Sequence, residues 1–369
     1  MHVVLAGGGT AGHIEPALAL ADALRRNDPT VGITALGTSQ GLETRLVPER
    51  GYELALIPKV ALPRKPSGDL ITLPGRLRNT VKAVQDVLER TKADVVVGFG
   101  GYVAMSAYFA AKRSGVPIVI HEANARPGVA NKIGSRYTDY VAVATPDSKF
   151  QKARYIGIPL RQTIATLDRG LARPQARQYF GLEQNLPTLL VSGGSQGARR
   201  LNETIQTVAP RLQQYGVQIL HAVGPKNELP PTVEQPGMPP YRVLPYLDRM
   251  DLAYAAADLM LCRAGAMTVA ELAAVGLPGA FVPLPIGNGE QRLNAQPVVR
   301  AGGGLLVDDA ELTPDWILQQ LLPVLTDPQR LWQMSQSAAE FGRRDADQLL
   351  AQMVYEAVDA HRGSARRRG

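Results

Sequence analysis

Along the first half of the chain, short apolar runs alternate with longer stretches whose apolar residues recur every three or four positions. His2 to Ala6 is an apolar run followed by glycines, and Pro16 to Arg26 then carries Leu18, Leu20 and Leu24 at helical spacing. Pro16 suits a first helical turn there, and Asn27-Asp28-Pro29 a stop. Gly32 to Leu36 and Asp94 to Val97 read as strands, with Leu77, Val81, Val84 and Leu88 lining one face of a helix between them. Val116 to Ile120 and Tyr140 to Ala144 are further buried strands. This β–α alternation predicts a parallel sheet wrapped by helices.

The rhythm restarts halfway. Thr188 to Ser192 reads as a strand, Gly193-Gly194-Ser195 as a glycine turn and Leu201 to Leu212 as a helix, matching the earlier turn Gly8-Gly9-Thr10. The expected fold class is α/β, with two Rossmann-like doubly wound domains facing across a cleft, and ligands at the carboxyl ends of the strands. The joint falls near Gly157-Ile158-Pro159, before the polar stretch Asp168 to Pro187. Pro230 to Pro240 reads as a surface loop, and Leu318 to Leu325 and Arg330 to Val358 as terminal helices.

A length of 369 residues fits two domains at roughly 150 residues each. Ordinary globular composition excludes a disordered or fibrous chain, and sparse aromatics argue against a stacking platform for single-stranded nucleic acid. The single Cys262 fits a reducing cytoplasm. The N-terminus has no signal-peptide pattern. The longest membrane-like stretch, Val95 to Ala111, contains three glycines and falls short of the roughly 20 residues that a span needs. Net charge is +7, concentrated in the tail (364–369) and between Lys59 and Lys82. The tail reads as a solubilising, frayed end.

Candidate chemistry sits at the glycine turns. Gly7 to Gly12 matches G-x-G-x-x-G, yet the second strand ends Leu36-Gly37-Thr38-Ser39 without the acid a nicotinamide site needs. Phosphate or sugar binding and a plain tight turn remain as readings of that loop. His13 follows directly, placed as a candidate general base or as a packing residue of the turn. Gly193-Gly194-Ser195-Gln196-Gly197 matches the G-x-S-x-G nucleophile elbow of serine hydrolases, but only His221 and His361 follow it, so a phosphate-holding turn is preferred. Thr268-Val269-Ala270-Glu271 has capping-box spacing, and from spacing alone Glu271 is a cap. Asp345-Ala346-Asp347 reads as solvated surface, and no cysteine–histidine metal spacing exists, so neither metal nor cofactor is expected.

Six strings then act together: Gly8 to His13, Gly100-Gly101-Tyr102, His121 to Asn124, Gly193 to Arg199, Cys262 to Leu272 and Gln291 to Ala295. In this order and spacing, over nearly the whole chain, the sequence resembles the bacterial undecaprenyldiphospho-muramoylpentapeptide N-acetylglucosaminyltransferase family of peptidoglycan synthesis. The resemblance implies a GT-B enzyme moving N-acetylglucosamine from UDP-GlcNAc to lipid I, giving lipid II with inversion and without metal. It implies an acceptor domain over 1–160, with a helix at about 341–363 packing back on it, and a donor domain over 161–340. Carried over by motif, His13 is the catalytic candidate, and Thr10, Ala11 and Gly12 face sugar and acceptor. Asn124 binds the donor sugar, and Arg161 and Ser195 hold the diphosphate. The Leu247 backbone meets uracil. Ala266, Met267, Thr268, Val269, Ala270 and Glu271 hold phosphate and ribose, and Gln291 reads the sugar hydroxyls. Ala11, Ala123, Ile158 and Glu290 depart from the usual pattern.

Lipid I implies peripheral attachment to the cytoplasmic face of the inner membrane, with other cell-wall synthesis proteins as candidate partners. Leu70, Ile71, Leu73, Arg76 and Arg78, in a stretch mixing apolar and basic residues, are the expected docking surface on anionic lipid. No nucleic-acid partner is expected.

Overall fold

A computed structural model describes residues 1–60, 69–148, 150–228, 237–286 and 289–366, with residues 69–72 and 365–366 described by backbone alone. The chain divides into two compact units, Met1–Arg161 with Arg344–Gly369, and Gln162–Arg343.

The described residues of the first unit form seven parallel strands: β1 (His2–Gly7), β2 (Gly32–Gly37), β3 (Glu53–Leu56), β4 (Val95–Gly100), β5 (Ile118–Glu122), β6 (Val141–Val143) and β7 (Arg154–Tyr155). Their order is β3-β2-β1-β4-β5-β6-β7. The chain therefore reverses its winding between β1 and β4, and the loops leaving those two strands lie side by side. Helices α1 (Ala11–Asn27), α2 (Glu43–Glu49), α3 (Asp69–Thr91), α4 (Gly101–Ser114) and α5 (Val129–Gly134) complete the winding.

The second unit repeats the plan with β8 (Thr188–Ser192), β9 (Gln218–Ala222), β10 (Tyr241–Leu244), β11 (Leu259–Cys262), β12 (Gly279–Phe281) and β13 (Gly304–Leu306), ordered β10-β9-β8-β11-β12-β13. Its reversal lies between β8 and β11, where Ser192 pairs with Cys262. Its helices are α6 (Gln162–Ala165), α7 (Arg169–Tyr179), α8 (Arg199–Gln214), α9 (Met250–Ala256), α10 (Ala266–Val275), α11 (Glu290–Arg300), α12 (Pro314–Trp316), α13 (Leu322–Leu325) and α14 (Pro328–Ala339). The chain ends in α15 (Ala346–Arg366), which returns to the first unit. There Leu350, Met353, Val354 and Val358 enter the core beside Leu20 and Leu24 of α1. At about 1.5–3 kcal/mol for each large apolar side chain buried, α15 is part of that core.

Several elements differ from the sequence expectation. α1 begins at Ala11, so Pro16 lies in its second turn and removes the bond that its N–H would have made to the Gly12 carbonyl. The single helix expected over Arg330 to Val358 is two, interrupted where Gly342 packs so closely on Ala273 that a Cβ would meet its carbonyl oxygen at 2.5 Å. The stretch Val95 to Ala111 is strand β4 running into helix α4, and among the described residues no helix is long and apolar enough to cross a membrane. Asp347 is not solvated surface: it is 4% exposed and ion-paired with Arg26 of α1. A buried carboxylate needs such a partner, and this one ties α15 to α1. The proline-rich loop expected at 230–240 falls largely outside the described residues.

Candidate active site

In the first unit, neighbouring β1 and β4 bring Gly8 to His13 against Gly100-Gly101-Tyr102. Gly100 and Gly101 adopt φ of 98° and 76°, and a Cβ on either would lie 3.4 Å from a ring nitrogen of His13. That double glycine turn makes room for the imidazole, which is half-buried, with Nδ1 3.4 Å from both the Gly8 carbonyl and the Thr10 hydroxyl. Thr10 is the N-cap of α1 without a side-chain cap bond, so the helix start at Ala11 and Gly12 is open.

Glu43, at the start of α2, was invisible to motif reasoning. Its fully buried carboxylate accepts from the Gly9 N–H at 3.1 Å and from the Thr38 N–H at 2.9 Å, and Tyr102 bonds the Thr38 hydroxyl at 3.1 Å. A donor that a dinucleotide phosphate would need at Gly9 is thus already taken by an internal carboxylate. This, with the missing acid after β2, leaves the nicotinamide reading of Gly7–Gly12 without support.

The loop after β5 carries Asn124. Glu122, 3% exposed, accepts four N–H groups: Asn124 N at 3.0 Å and Asn124 Nδ2 at 3.3 Å on one oxygen, Gly128 N at 2.9 Å and Asn131 Nδ2 at 3.0 Å on the other. Because one Asn124 Nδ2 hydrogen goes to Glu122, its carbonyl oxygen and its second amide N–H are the groups left to read a ligand. His121, fully buried, donates from Nε2 to the Gly157 carbonyl at 2.8 Å, and burial pushes its pKa down to about 4. Arg161 closes this unit, its Nε 3.8 Å from Glu15 of α1.

In the second unit, the Ser192–Cys262 pairing sets the Ser195 turn beside the start of α10. Gly193 and Gly197 pack so closely that a Cβ would meet Ala198 N at 2.3 Å and the Val223 carbonyl at 2.0 Å. Ser195 stands exposed at the tip. Its backbone is not in the strained left-handed region, and His221 is engaged elsewhere, bonded to Tyr241 at 3.0 Å and Asn202 at 3.1 Å. Burial holds His221 down to about 4. A nucleophile elbow needs both the strained serine and an available histidine, so the hydrolase reading fails.

Helix α10 starts at Ala266 on an N-cap of Gly265, again without a side-chain cap bond. Thr268 is therefore the third helical residue and not a cap, and Glu271 lies one turn further on. The capping box suggested by spacing does not form. Instead Glu271, 5% exposed, accepts the Tyr254 phenol at 2.7 Å from α9. Ala266, Met267, Thr268 and Ala270 remain half-exposed, whereas the Val269 side chain is buried and can offer a ligand only its backbone.

Leu247 also turns its side chain inward, and its backbone N–H and C=O take no partner among the described residues. Gln291, in the first turn of α11, accepts the Leu284 N–H at 2.9 Å, leaving its amide N–H groups to donate. Arg263 is a tie within the unit, 2.6 Å from Asp309 and bonded to the Val282 carbonyl. No group of three or more His, Cys, Asp or Glu side chains is placed to hold a metal ion among the described residues.

Two doubly wound parallel sheets, each with a glycine turn and an open helix start at its reversal point, and a buried carboxylate one turn into one of those helices, define a GT-B glycosyltransferase. The sequence matches the glycosyltransferase family 28 N-terminal domain over residues 3–143 and the family 28 C-terminal domain over residues 188–350. The chain belongs to glycosyltransferase family 28, among its UDP-N-acetylglucosamine–N-acetylmuramyl-(pentapeptide) pyrophosphoryl-undecaprenol N-acetylglucosamine transferases.

A relative of that name from Streptomyces coelicolor is 79% identical, covering 98% of this chain and 99% of the relative. Another, from Acidothermus cellulolyticus, is 60% identical over 98% of this chain and 99% of its own. Among solved structures, Acinetobacter baumannii MurG superposes with a TM-score of 0.77 at 30% identity, covering 96% of this chain and 99% of that one.

Proposed function

We propose that the chain transfers N-acetylglucosamine from UDP-N-acetylglucosamine to the 4-hydroxyl of the muramoyl sugar on undecaprenyl-diphosphate-linked pentapeptide, inverting the anomeric carbon. The carrying observation is α10: an open helix start, which favours a diphosphate, and one turn on a buried Glu271 held by Tyr254, suited to a ribose diol. Ser195 adds a free hydroxyl at the neighbouring turn, and Arg161 is the proposed added charge on the diphosphate. The Leu247 backbone is the proposed uracil contact, while Gln291 as donor and Asn124 as acceptor read the sugar.

In the reaction, a base removes the proton from the acceptor 4-hydroxyl, that oxygen bonds the anomeric carbon, and the bond to the UDP oxygen breaks. Charge accumulates on the departing diphosphate, where the α10 N–H groups stabilise it. His13 is the proposed base, at a position where the Gly100-Gly101 turn leaves room for its ring.

Docking on an anionic membrane is supported by α3, on which Arg76 and Arg78 are exposed and Leu73 is half-exposed. The side chains of Leu70 and Ile71 lie outside the described residues. Peripheral attachment at the cytoplasmic face, where such a lipid acceptor would be met, belongs to the same proposal, as do contacts with other cell-wall synthesis proteins.

Incubation with UDP-N-acetylglucosamine and a short-chain lipid I analogue should yield a product heavier by one N-acetylhexosamine, with the new linkage β by NMR. An α linkage would contradict inversion, and no mass gain would contradict the transfer.

A further inference from the structure

Two glycines mark a slot beneath the Asn124 loop. A Cβ on Gly98 of β4 would fall 2.0 Å from the Tyr108 hydroxyl oxygen, and one on Gly134 of α5 would fall 2.6 Å from its ring. Tyr108, from α4, fills that slot and is fully buried. Its hydroxyl donates to Asn131 Oδ1 at 2.7 Å. A buried phenol normally finds such a partner, and here the partner is not incidental.

The direction of each bond is fixed by chemistry. Glu122 only accepts, so Asn131 must turn its Nδ2 toward it, at 3.0 Å. The Asn131 carbonyl then faces Tyr108, whose O–H must donate. Burial, with the Glu122 charge second, pushes the Tyr108 phenol well above its ordinary value, so it stays a donor over the working range. Glu122 passes the constraint on, holding Asn124 by its backbone and its side-chain amide. The same Asn131 Nδ2 also reaches the His121 carbonyl at 3.2 Å, which anchors the relay to strand β5.

We infer that Tyr108 is a positioning residue for the donor sugar, acting through Asn131 and Glu122 to aim the Asn124 carbonyl oxygen. This rests on the reading of Asn124 as a donor-sugar contact. A role confined to stability would change the melting temperature and leave substrate discrimination alone. A positioning role changes how the sugar is read while leaving the proposed ribose and uracil contacts untouched, because Glu271 and Leu247 belong to the other unit.

The test compares wild type, Tyr108→Phe, Asn124→Ala and the double variant of the full chain. It measures the KM for UDP-N-acetylglucosamine, the inhibition constant of UDP and the Tm. Tyr108→Phe removes one oxygen and keeps the slot filled, and losing one such bond should raise the KM about five-fold. The UDP constant should stay within about two-fold, well under the ten-fold that 1.4 kcal/mol represents. The double variant should be no worse than Asn124→Ala alone, since the two act in series.

Three results would overturn the inference: an unchanged KM in Tyr108→Phe while Asn124→Ala raises it, KM and UDP constants rising together, or effects that multiply in the double variant. An Asn124→Ala variant with wild-type kinetics would sink the sugar reading of Asn124 itself and the inference with it. Should Tyr108→Phe not reach a native-like Tm, Asn131→Ala breaks the relay from a different helix and must show the same split.

Discussion

Tyr254 donates its phenolic O–H to the carboxylate of Glu271 at 2.7 Å, joining α9 to α10 inside the second unit. They lie seventeen positions apart in the chain, and both are at least 95% buried, Tyr254 at 1% exposed and Glu271 at 5%. A carboxylate so enclosed needs a donor, and this one holds it one turn beyond the helix start.

Removing that donor should therefore loosen the donor nucleotide before anything else. Tyr254→Phe is expected to raise the KM for UDP-N-acetylglucosamine and the UDP inhibition constant together, by about 1–2 kcal/mol or roughly 5- to 30-fold. Glu271→Ala should raise them further. An unchanged KM with a lower Tm in Glu271→Ala would assign the carboxylate a purely structural role.

For His13 the expectation concerns turnover. His13→Ala should lower kcat by about 10²–10⁴-fold, the usual contribution of a general base, with a native Tm. Near-normal turnover in a folded variant would remove His13 from the mechanism. Glu43→Ala separates scaffold from base, since it frees the Gly9 and Thr38 N–H groups in a buried space. It should cost about 1–3 kcal/mol of stability, which thermal melting reads directly.

Stability should fall with acidification from a higher pH than carboxylates alone would dictate. His121 and His221 are each held down to about 4 by burial, against an ordinary value of 6.5. Between these values the unfolded chain binds protons that the folded chain refuses, so stability rises with pH through this window and is lost as pH falls through it. Each ring accounts for about 3 kcal/mol when the window is fully crossed. The melting temperature should begin to drop near pH 6.5. A flat profile down to pH 4 would contradict the buried neutral rings.

Charge reversal at Arg76 and Arg78 should weaken binding to phosphatidylglycerol vesicles, at about 1 kcal/mol for each basic residue near the surface, and leave soluble-acceptor turnover intact. Co-sedimentation reads the loss, and unchanged binding would move the docking surface away from α3.

The β–α rhythm and the glycine turns were legible because both are local: a strand, a turn and a helix start lie within a few residues of one another. The two-domain plan followed from their repetition at Gly193-Gly194-Ser195. Partner choice was not legible, because sheet order decides it. His13 meets Gly100-Gly101 only because β1 lies beside β4, and the turns carrying Ser195 and Ala266 leave neighbouring strands only because β8 lies beside β11. Asp347 looked like surface because its partner, Arg26, lies 321 positions away. Glu43, Tyr108 and Tyr254, which hold the proposed ligand-binding groups from behind, match no spacing rule at all, and Glu122, though inside the string His121 to Asn124, had no role legible there. The Thr268–Glu271 spacing was actively misleading, since the helix begins two residues before Thr268 and leaves Glu271 no cap to make.

Glycosyl transfer is read most directly by UDP release from UDP-N-acetylglucosamine, with and without a soluble lipid I analogue. Release should depend on the acceptor and match the disaccharide formed mole for mole. Release at the same rate without acceptor would identify a sugar-nucleotide hydrolase instead and contradict glycosyl transfer.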